Sequence, residues 1–169
     1  MIGFVQCGNL TAFLKPAFAA SGPTLRYDRR DPRWPAIAAA LAALREKGRC
    51  AVRIVDADCA AGGLLLEALG SARRLGFTAI EGRGIDGSPA LIGRARAAAS
   101  RAPDLAIGVE FEVADVATAL EAECDLPADI ILWPGSGLSD QVAVDDLLHR
   151  AGNLVIDGSH AGLSQASLR

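Results

Sequence analysis

Four aspartates and one tryptophan stand where apolar runs of this chain stop. Asp56 follows Ala51-Val52-Arg53-Ile54-Val55, Asp86 ends the run from Thr78, and Asp115 comes just after the run from Glu110. Trp133 ends the run from Ala128, and Asp157 the run from Asn153. Ionised carboxylates only accept hydrogen bonds, so several at one edge suit a polar ligand with many donors or a positive charge. Asp86 follows Gly63 at close to the spacing at which a carboxylate in a strand–helix–strand unit accepts both hydroxyls of a ribose and repels a 2′-phosphate. Asp115 accepts from an exocyclic amine such as that of adenine, or caps the helix that starts at Val116. Both hold only if its two oxygens are divided between the tasks. Asp56 would repel a pyrophosphate seated on the next helix N-terminus and would attract an amine or a sulfonium.

The elements that must position these residues alternate regularly. Strands are expected over residues 51–56, 78–86, 110–114, 128–133 and 153–157, with helices over 63–75, 89–101, 116–123 and 139–151 between them. Apolar strands, each followed by an amphipathic helix, imply a parallel sheet covered on both faces and joined by right-handed crossovers. Ligands of such sheets bind outside the carboxyl ends of the strands, where all five residues fall. Upstream, Asn9 to Ala20 reads as a short helix. A second helix starts at Trp34-Pro35, with Ile37, Leu41 and Leu44 on one face, and stops at Lys47-Gly48. Residues 1–50 are therefore expected to form an N-terminal helical extension to a unit over 51–169, within a single domain.

The bulk numbers exclude several classes. The 169 residues allow one well-filled core, and 51% hydrophobic residues argue against disorder. A net charge of −3 provides no field for nucleic acid or an anionic membrane. The local exception is Arg26-Tyr27-Asp28-Arg29-Arg30-Asp31-Pro32-Arg33, either a solvated loop with internal ion pairs or a flap beside an anionic substrate. Cys7, Cys50, Cys59 and Cys124 form no metal-ligand spacing with His149 or His160, and no apolar run is long enough to span a bilayer. A cytoplasmic protein without metal is expected.

Three motifs in order, Val52-Arg53-Ile54-Val55-Asp56-Ala57-Asp58-Cys59-Ala60-Ala61-Gly62-Gly63, then Gly84-Ile85-Asp86-Gly87-Ser88-Pro89, then Phe111-Glu112-Val113-Ala114-Asp115-Val116, resemble the class I S-adenosylmethionine-dependent methyltransferases. The resemblance covers Cys50 to Asp157. It implies a three-layer αβα Rossmann-like methyltransferase fold, with a mostly parallel sheet of about five strands in the order 3-2-1-4-5. It implies S-adenosylmethionine as cofactor and S-adenosylhomocysteine as product. The cofactor contacts it implies are the loop with Asp56, Asp58, Ala60 and Gly62 against the methionine part, Asp86 and Gly87 at the ribose, Asp115 and Val116 at the adenine, and Trp133 at the end of the fourth strand. Trp133-Pro134-Gly135-Ser136 would border the acceptor pocket. His160, after the last strand, is a candidate base or an exposed tail histidine.

The chain departs from the family pattern in three places. The first loop keeps its acid but has Asp58 and Ala60 where the pattern acid-x-Gly-x-Gly-x-Gly has glycine. Asp tolerates a left-handed backbone; alanine adds a methyl and, at positive φ, a strain of about 1 kcal/mol. Too few residues follow Asp157 for the antiparallel hairpin that completes the family's sheet. Either the sequence is a fragment of a longer protein, or the sheet is shortened and the last strand is an edge, which a homodimer is expected to cover, with the N-terminal helices as the competing cover. Trp133-Pro134-Gly135-Ser136 is not the signature of amino-directed nucleic-acid enzymes, so the expected acceptor is a small molecule. The alternatives are a degenerate fold acting as a binding or interaction module and a nicotinamide-binding domain; Asp56 disfavours the latter.

Overall fold

The structure is a computed structural model, and it describes residues 30–101, 103–135 and 141–158. The expected helix at Asn9–Ala20, Ser136 and His160 lie outside the described residues. In chain order the elements are α1 (Trp34–Glu46), β1 (Ala51–Ala57), α2 (Gly63–Arg74), β2 (Ala79–Asp86) and α3 (Pro89–Ala99). They continue with β3 (Ile107–Val113), α4 (Val116–Glu123), β4 (Ile130–Trp133), α5 (Gln141–Ala151) and β5 (Val155–Asp157). The five strands form one parallel sheet in the order β3-β2-β1-β4-β5.

The strand boundaries differ from the sequence reading in one direction at β3 and in the other at β4 and β5. β3 starts three residues early because Ile107, Gly108 and Val109 find partners in Ile80, Glu81 and Gly82 of β2, and pairing outweighs the low strand propensity of Gly108. Ala128 makes only an isolated bridge to Gly152, so β4 begins at Ile130. Helix starts follow their local signals. Pro89 stands in the first turn of α3, where its missing N–H costs nothing, and Ser88 caps that helix by accepting from Leu91 N.

Alternation along the strands divides the core. Val52, Ile54, Ile80, Ile130 and Leu132 face α1, α2 and α3, and they pack with Ile37, Leu41, Leu65, Leu69 and Phe77. Val55, Ala57, Ile85, Ile131 and Trp133 face the other way and pack with Leu120, Leu148 and Ala151. The two helical layers with the sheet between them make the three-layer fold expected of the sequence. Ile37 and Leu41 of α1 are fully buried in the same cluster as the strands.

Arg53 and Arg83 are cationic exceptions on the α4-facing side of the sheet. Both pair with Glu123 of α4, whose side chain is 1% exposed, and they have second partners in Glu81 and Glu112 respectively. Arg53 also donates to Leu126 O at 2.7 Å, which ties the end of α4 to the sheet. Removing the shared carboxylate leaves two guanidinium groups facing an apolar layer. Glu123→Ala is expected to lower the unfolding free energy by about 2–3 kcal/mol in urea titrations, less than a fully enclosed pair would lose, because Glu81 and Glu112 remain.

Candidate functional site

The winding direction reverses between β1 and β4, which opens a crevice at their carboxyl ends. Asp56 sits there, beside Leu132 of β4 on one side and Gly84 of β2 on the other. At the opposite end of the sheet, a shallow groove of about 510 Å³ is lined by Arg49, Arg53, Glu81, Leu105, Leu126 and Asp129. Its charges already form the pairs Arg49–Asp129 and Arg53–Glu81. The groove lies below the amino ends of the strands, far in topology from the loops that this architecture uses for binding.

The loop from β1 to α2 carries the clearest geometry. Asp58, Ala60 and Gly62 all have positive φ, at 75°, 49° and 74°. These are the positions where the family pattern has glycine, so the backbone path persists where two of the glycines do not. Asp58 N and Cys59 N both donate to Ile85 O, at 2.9 and 2.8 Å, and Gly62 N closes a turn on Cys59 O at 2.9 Å. Ala60 N donates to Asp86 Oδ2 at 2.9 Å. Ala60 is held left-handed at a cost of about 1 kcal/mol. Gly62 has a separate reason to be glycine: a Cβ there would stand 2.6 Å from the Phe111 ring and 2.9 Å from Ala95.

Asp86 ends β2 and joins two segments. Its Oδ1 accepts from Ser88 N at 2.7 Å, and its Oδ2 from Ala60 N. Each oxygen keeps a further lone pair, so the carboxylate that braces the loop can still accept from a ligand hydroxyl. The side chain is nearly enclosed, but Gly87 beside it is exposed, with no atom within 4 Å of where a Cβ would be.

Asp56 is 1% exposed, and its Oδ1 has no hydrogen-bond partner. Burial pushes its pKa from 3.8 up to about 7; Arg33 tempers the rise, while Asp31, Asp58 and Asp86 add to it. Asp58, which is exposed, is also raised, by partial burial and then by Asp86. Cys59 lies under the loop, and burial with Asp56 and Asp86 nearby pushes its thiol up to about 12. It stays protonated and is no nucleophile. The four acids create a negative field in a sheltered crevice, a setting that favours a cation.

Asp115 caps α4: its Oδ1 accepts from Thr118 N at 3.0 Å and Thr118 Oγ1 at 3.1 Å. The backbone N–H of Thr118 and then its hydroxyl hold the carboxyl below the usual range. The capping role is thus visible, and Oδ2 takes part in neither bond. Val116 is half-buried at the first turn of α4. Trp133 departs from its expected surroundings. It is 4% exposed and packs in the cluster beneath α4 and α5, on the face of the sheet opposite to Asp56. Alternation places Leu132 of β4 on the Asp56 side and turns Trp133 away.

Arg33 had only a general signal in the sequence, the mixed-charge stretch before α1. Its Nε and Nη2 hold Asp31 Oδ1 and Oδ2 at 3.0 and 2.9 Å, so the expected internal ion pair exists. The residue also faces the acidic crevice. Burial opposes its charge, but the Asp31 hydrogen bonds and the fields of Asp56 and Asp58 outweigh that and raise its pKa. Among the described residues no group of three or more His, Cys, Asp or Glu is placed to hold a metal ion, and no helix is long and apolar enough to cross a membrane.

The same architecture occurs in solved methyltransferases. The S-adenosylmethionine-dependent methyltransferase from Agrobacterium tumefaciens superposes with a TM-score of 0.56 at 15% identity, over 71% of this chain and 40% of that one. WbdD, a bifunctional kinase-methyltransferase, matches at a TM-score of 0.55 and 24% identity, over 73% of this chain and 29% of its own. Magnesium protoporphyrin IX methyltransferase from Synechocystis PCC 6803, solved with S-adenosylmethionine bound, matches at 0.51 and 15%, over 78% and 62%. The chain thus spans less than two thirds of each of these proteins. No family model and no curated protein matches the sequence. The chain has the fold of the class I S-adenosylmethionine-dependent methyltransferases.

The raised pKa of Asp56 has a consequence for stability. Unfolded, the carboxyl ionises near 3.8; folded, near 7. Between these values the folded state keeps a proton that the unfolded state has released, so stability falls as pH rises and levels off above about 7. Asp56→Asn removes this slope. Its thermal midpoint is expected to gain on the wild type by about 5 °C or more between pH 5 and pH 8, read by calorimetric melts at both values.

Proposed function

We propose that the protein binds S-adenosylmethionine at the carboxyl ends of β1, β2 and β3 and transfers its methyl group to a small-molecule acceptor. The observation that carries this is the loop of Asp58, Ala60 and Gly62. Its three left-handed residues persist through the replacement of two glycines, and Asp86 pulls the strained Ala60 into place. Strain that the surrounding structure enforces without gain in packing is typical of ligand sites.

The residues present fit the cofactor. Asp56 supplies a buried acceptor with an unused oxygen for a cationic group, and Asp86 has lone pairs left for ribose hydroxyls. Asp115 has Oδ2 for an exocyclic amine. When bound, the cofactor supplies an activated methyl group on a sulfonium. The chain's own contribution is then alignment: Asp56 and the loop backbone fix the methionine end, and Asp86 fixes the ribose. In-line displacement at the methyl group asks of the protein mainly this alignment. Among the described residues β5 is the outermost strand on its side of the sheet, and that edge is where a second copy of the chain would pair.

Calorimetric titration with S-adenosylmethionine and S-adenosylhomocysteine tests the proposal, and no heat with either at millimolar ligand would sink it in favour of a non-catalytic module. Asp86→Ala is expected to weaken S-adenosylhomocysteine by about 1–3 kcal/mol. Ala60→Gly, which relieves the left-handed strain, is expected to tighten it and to raise stability by up to about 1 kcal/mol. Unchanged binding in Ala60→Gly would mean that the loop no longer meets a ligand.

A further inference from the structure

A second surface that invites a partner lies at the amino end of the sheet, away from the candidate site. Four exposed apolar residues line the groove there: Ala51 and Ala79, opposite each other at the starts of β1 and β2, Leu105 before β3 and Leu126 before β4. Leu105 is wholly exposed and Leu126 is 67% exposed. The pairs Arg49–Asp129 and Arg53–Glu81 already neutralise the charges of its walls. A groove with paired charges and two exposed leucines suits an apolar occupant rather than an ion.

The chain itself carries such an occupant. Residues 1–20, outside the described residues, hold Phe4, Leu10, Phe13, Leu14 and Phe18 with one charged side chain, Lys15. Leu10, Phe13, Leu14 and Phe18 recur at i, i+3, i+4 and i+8, the spacing of one helical face. So apolar a face gains by leaving water. Cys50 connects this segment with the groove. It stands between Arg49 and Ala51 of the lining, and it is disulfide-bonded. Cys59 and Cys124 are free, so Cys7 is the remaining cysteine of the sequence. A disulfide holds its two Cα atoms within about 7 Å, which brings a bonded Cys7 to the rim of the groove.

We propose that the groove at the amino end of the sheet is the seat of the chain's own N-terminal segment, with residues 8–20 laid over Leu105 and Leu126 and a Cys7–Cys50 disulfide as the latch. The length of chain permits it. α1 runs from Arg33, which senses Asp56 at the carboxyl end of β1, down to Arg45, which donates to Arg49 O just before β1 begins. Residues 21–29 must therefore pass alongside α1, a 13-residue helix about 20 Å long. Fully extended, they reach up to about 30 Å. Closing the latch takes two electrons and two protons from the Cys7 and Cys50 thiols. They pass, through a mixed disulfide, to a small-molecule disulfide such as glutathione disulfide, which leaves as two thiols. The strap is thus redox-sensitive: reduction opens the bond and leaves only the apolar contact.

The test uses the full chain after exposure to glutathione disulfide. Peptide mapping without reductant reads the linkage. Hydrogen exchange read by mass spectrometry follows residues 8–20 in the wild type, in Cys7→Ser and in the double variant Leu105→Glu/Leu126→Glu. Both leucines are exposed, so the double variant is expected to melt with the wild type; if it does not, Leu105→Glu alone takes its place. The wild type is expected to yield a Cys7–Cys50 linked peptide. Its residues 8–20 should exchange slower by about 10-fold or more than in Cys7→Ser or after reduction with dithiothreitol. The rim variant should keep the linked peptide and lose that protection, because the new carboxylates would have to be buried under an apolar face. Absence of the linked peptide, or equal exchange in the wild type and Cys7→Ser, overturns the proposal. Protection that survives in the rim variant puts the segment on another surface and overturns it too. So does protection that grows with protein concentration, which would make a second copy the occupant. Each outcome is read without S-adenosylmethionine and leaves the cofactor proposal untouched.

Discussion

The two hydrogen bonds that Asp86 accepts, from Ala60 N and Ser88 N, hold the carboxyl edge of the sheet together. One draws the β1–α2 loop over the end of β2; the other fixes the turn into α3. The left-handed path through Asp58, Ala60 and Gly62 is affordable only because that clip and the paired bonds to Ile85 O determine it from outside. The same carboxylate contributes to the field that keeps Asp56 and Cys59 protonated to higher pH. Loop shape and local electrostatics thus share one residue.

The fold distributes charge by the period of its strands. Arg53 and Arg83 point toward α4, where Glu123 neutralises them, and Asp56 points toward α1, where Arg33 tempers it without touching it. The first arrangement is closed: every charge has a bonded partner. The second is open, with one donor and one acceptor unused. Buried groups in proteins are usually satisfied, so the contrast between the two faces of one sheet marks the Asp56 face as the candidate site.

Much of the architecture was legible in the residues. The alternation of apolar runs and amphipathic segments placed all nine elements from β1 to β5, and the order of the strands followed from the resemblance of three motifs. Strand ends were less legible. β3 gained Ile107 to Val109 through pairing with β2, a contact between segments far apart in the chain. At the candidate site, the placement of Asp56, Asp86 and the loop at the carboxyl ends of the strands could be read because their spacing follows from local geometry. Asp115 is a helix cap in addition to any other task.

The sequence by itself determined the parallel αβα sheet and the acids that gather at its carboxyl end, because strand and helix periods and turn chemistry are local properties of the chain. Only the tertiary structure decided which way each strand-end side chain points. A one-residue step along β4 turns Trp133 into the core under α4 and α5, away from the face that holds Asp56. Only the tertiary structure, too, brought Arg33 from the start of α1 to the acids of β1. Its position depends on the packing of Ile37 and Leu41 against the sheet, a long-range burial that no local pattern encodes.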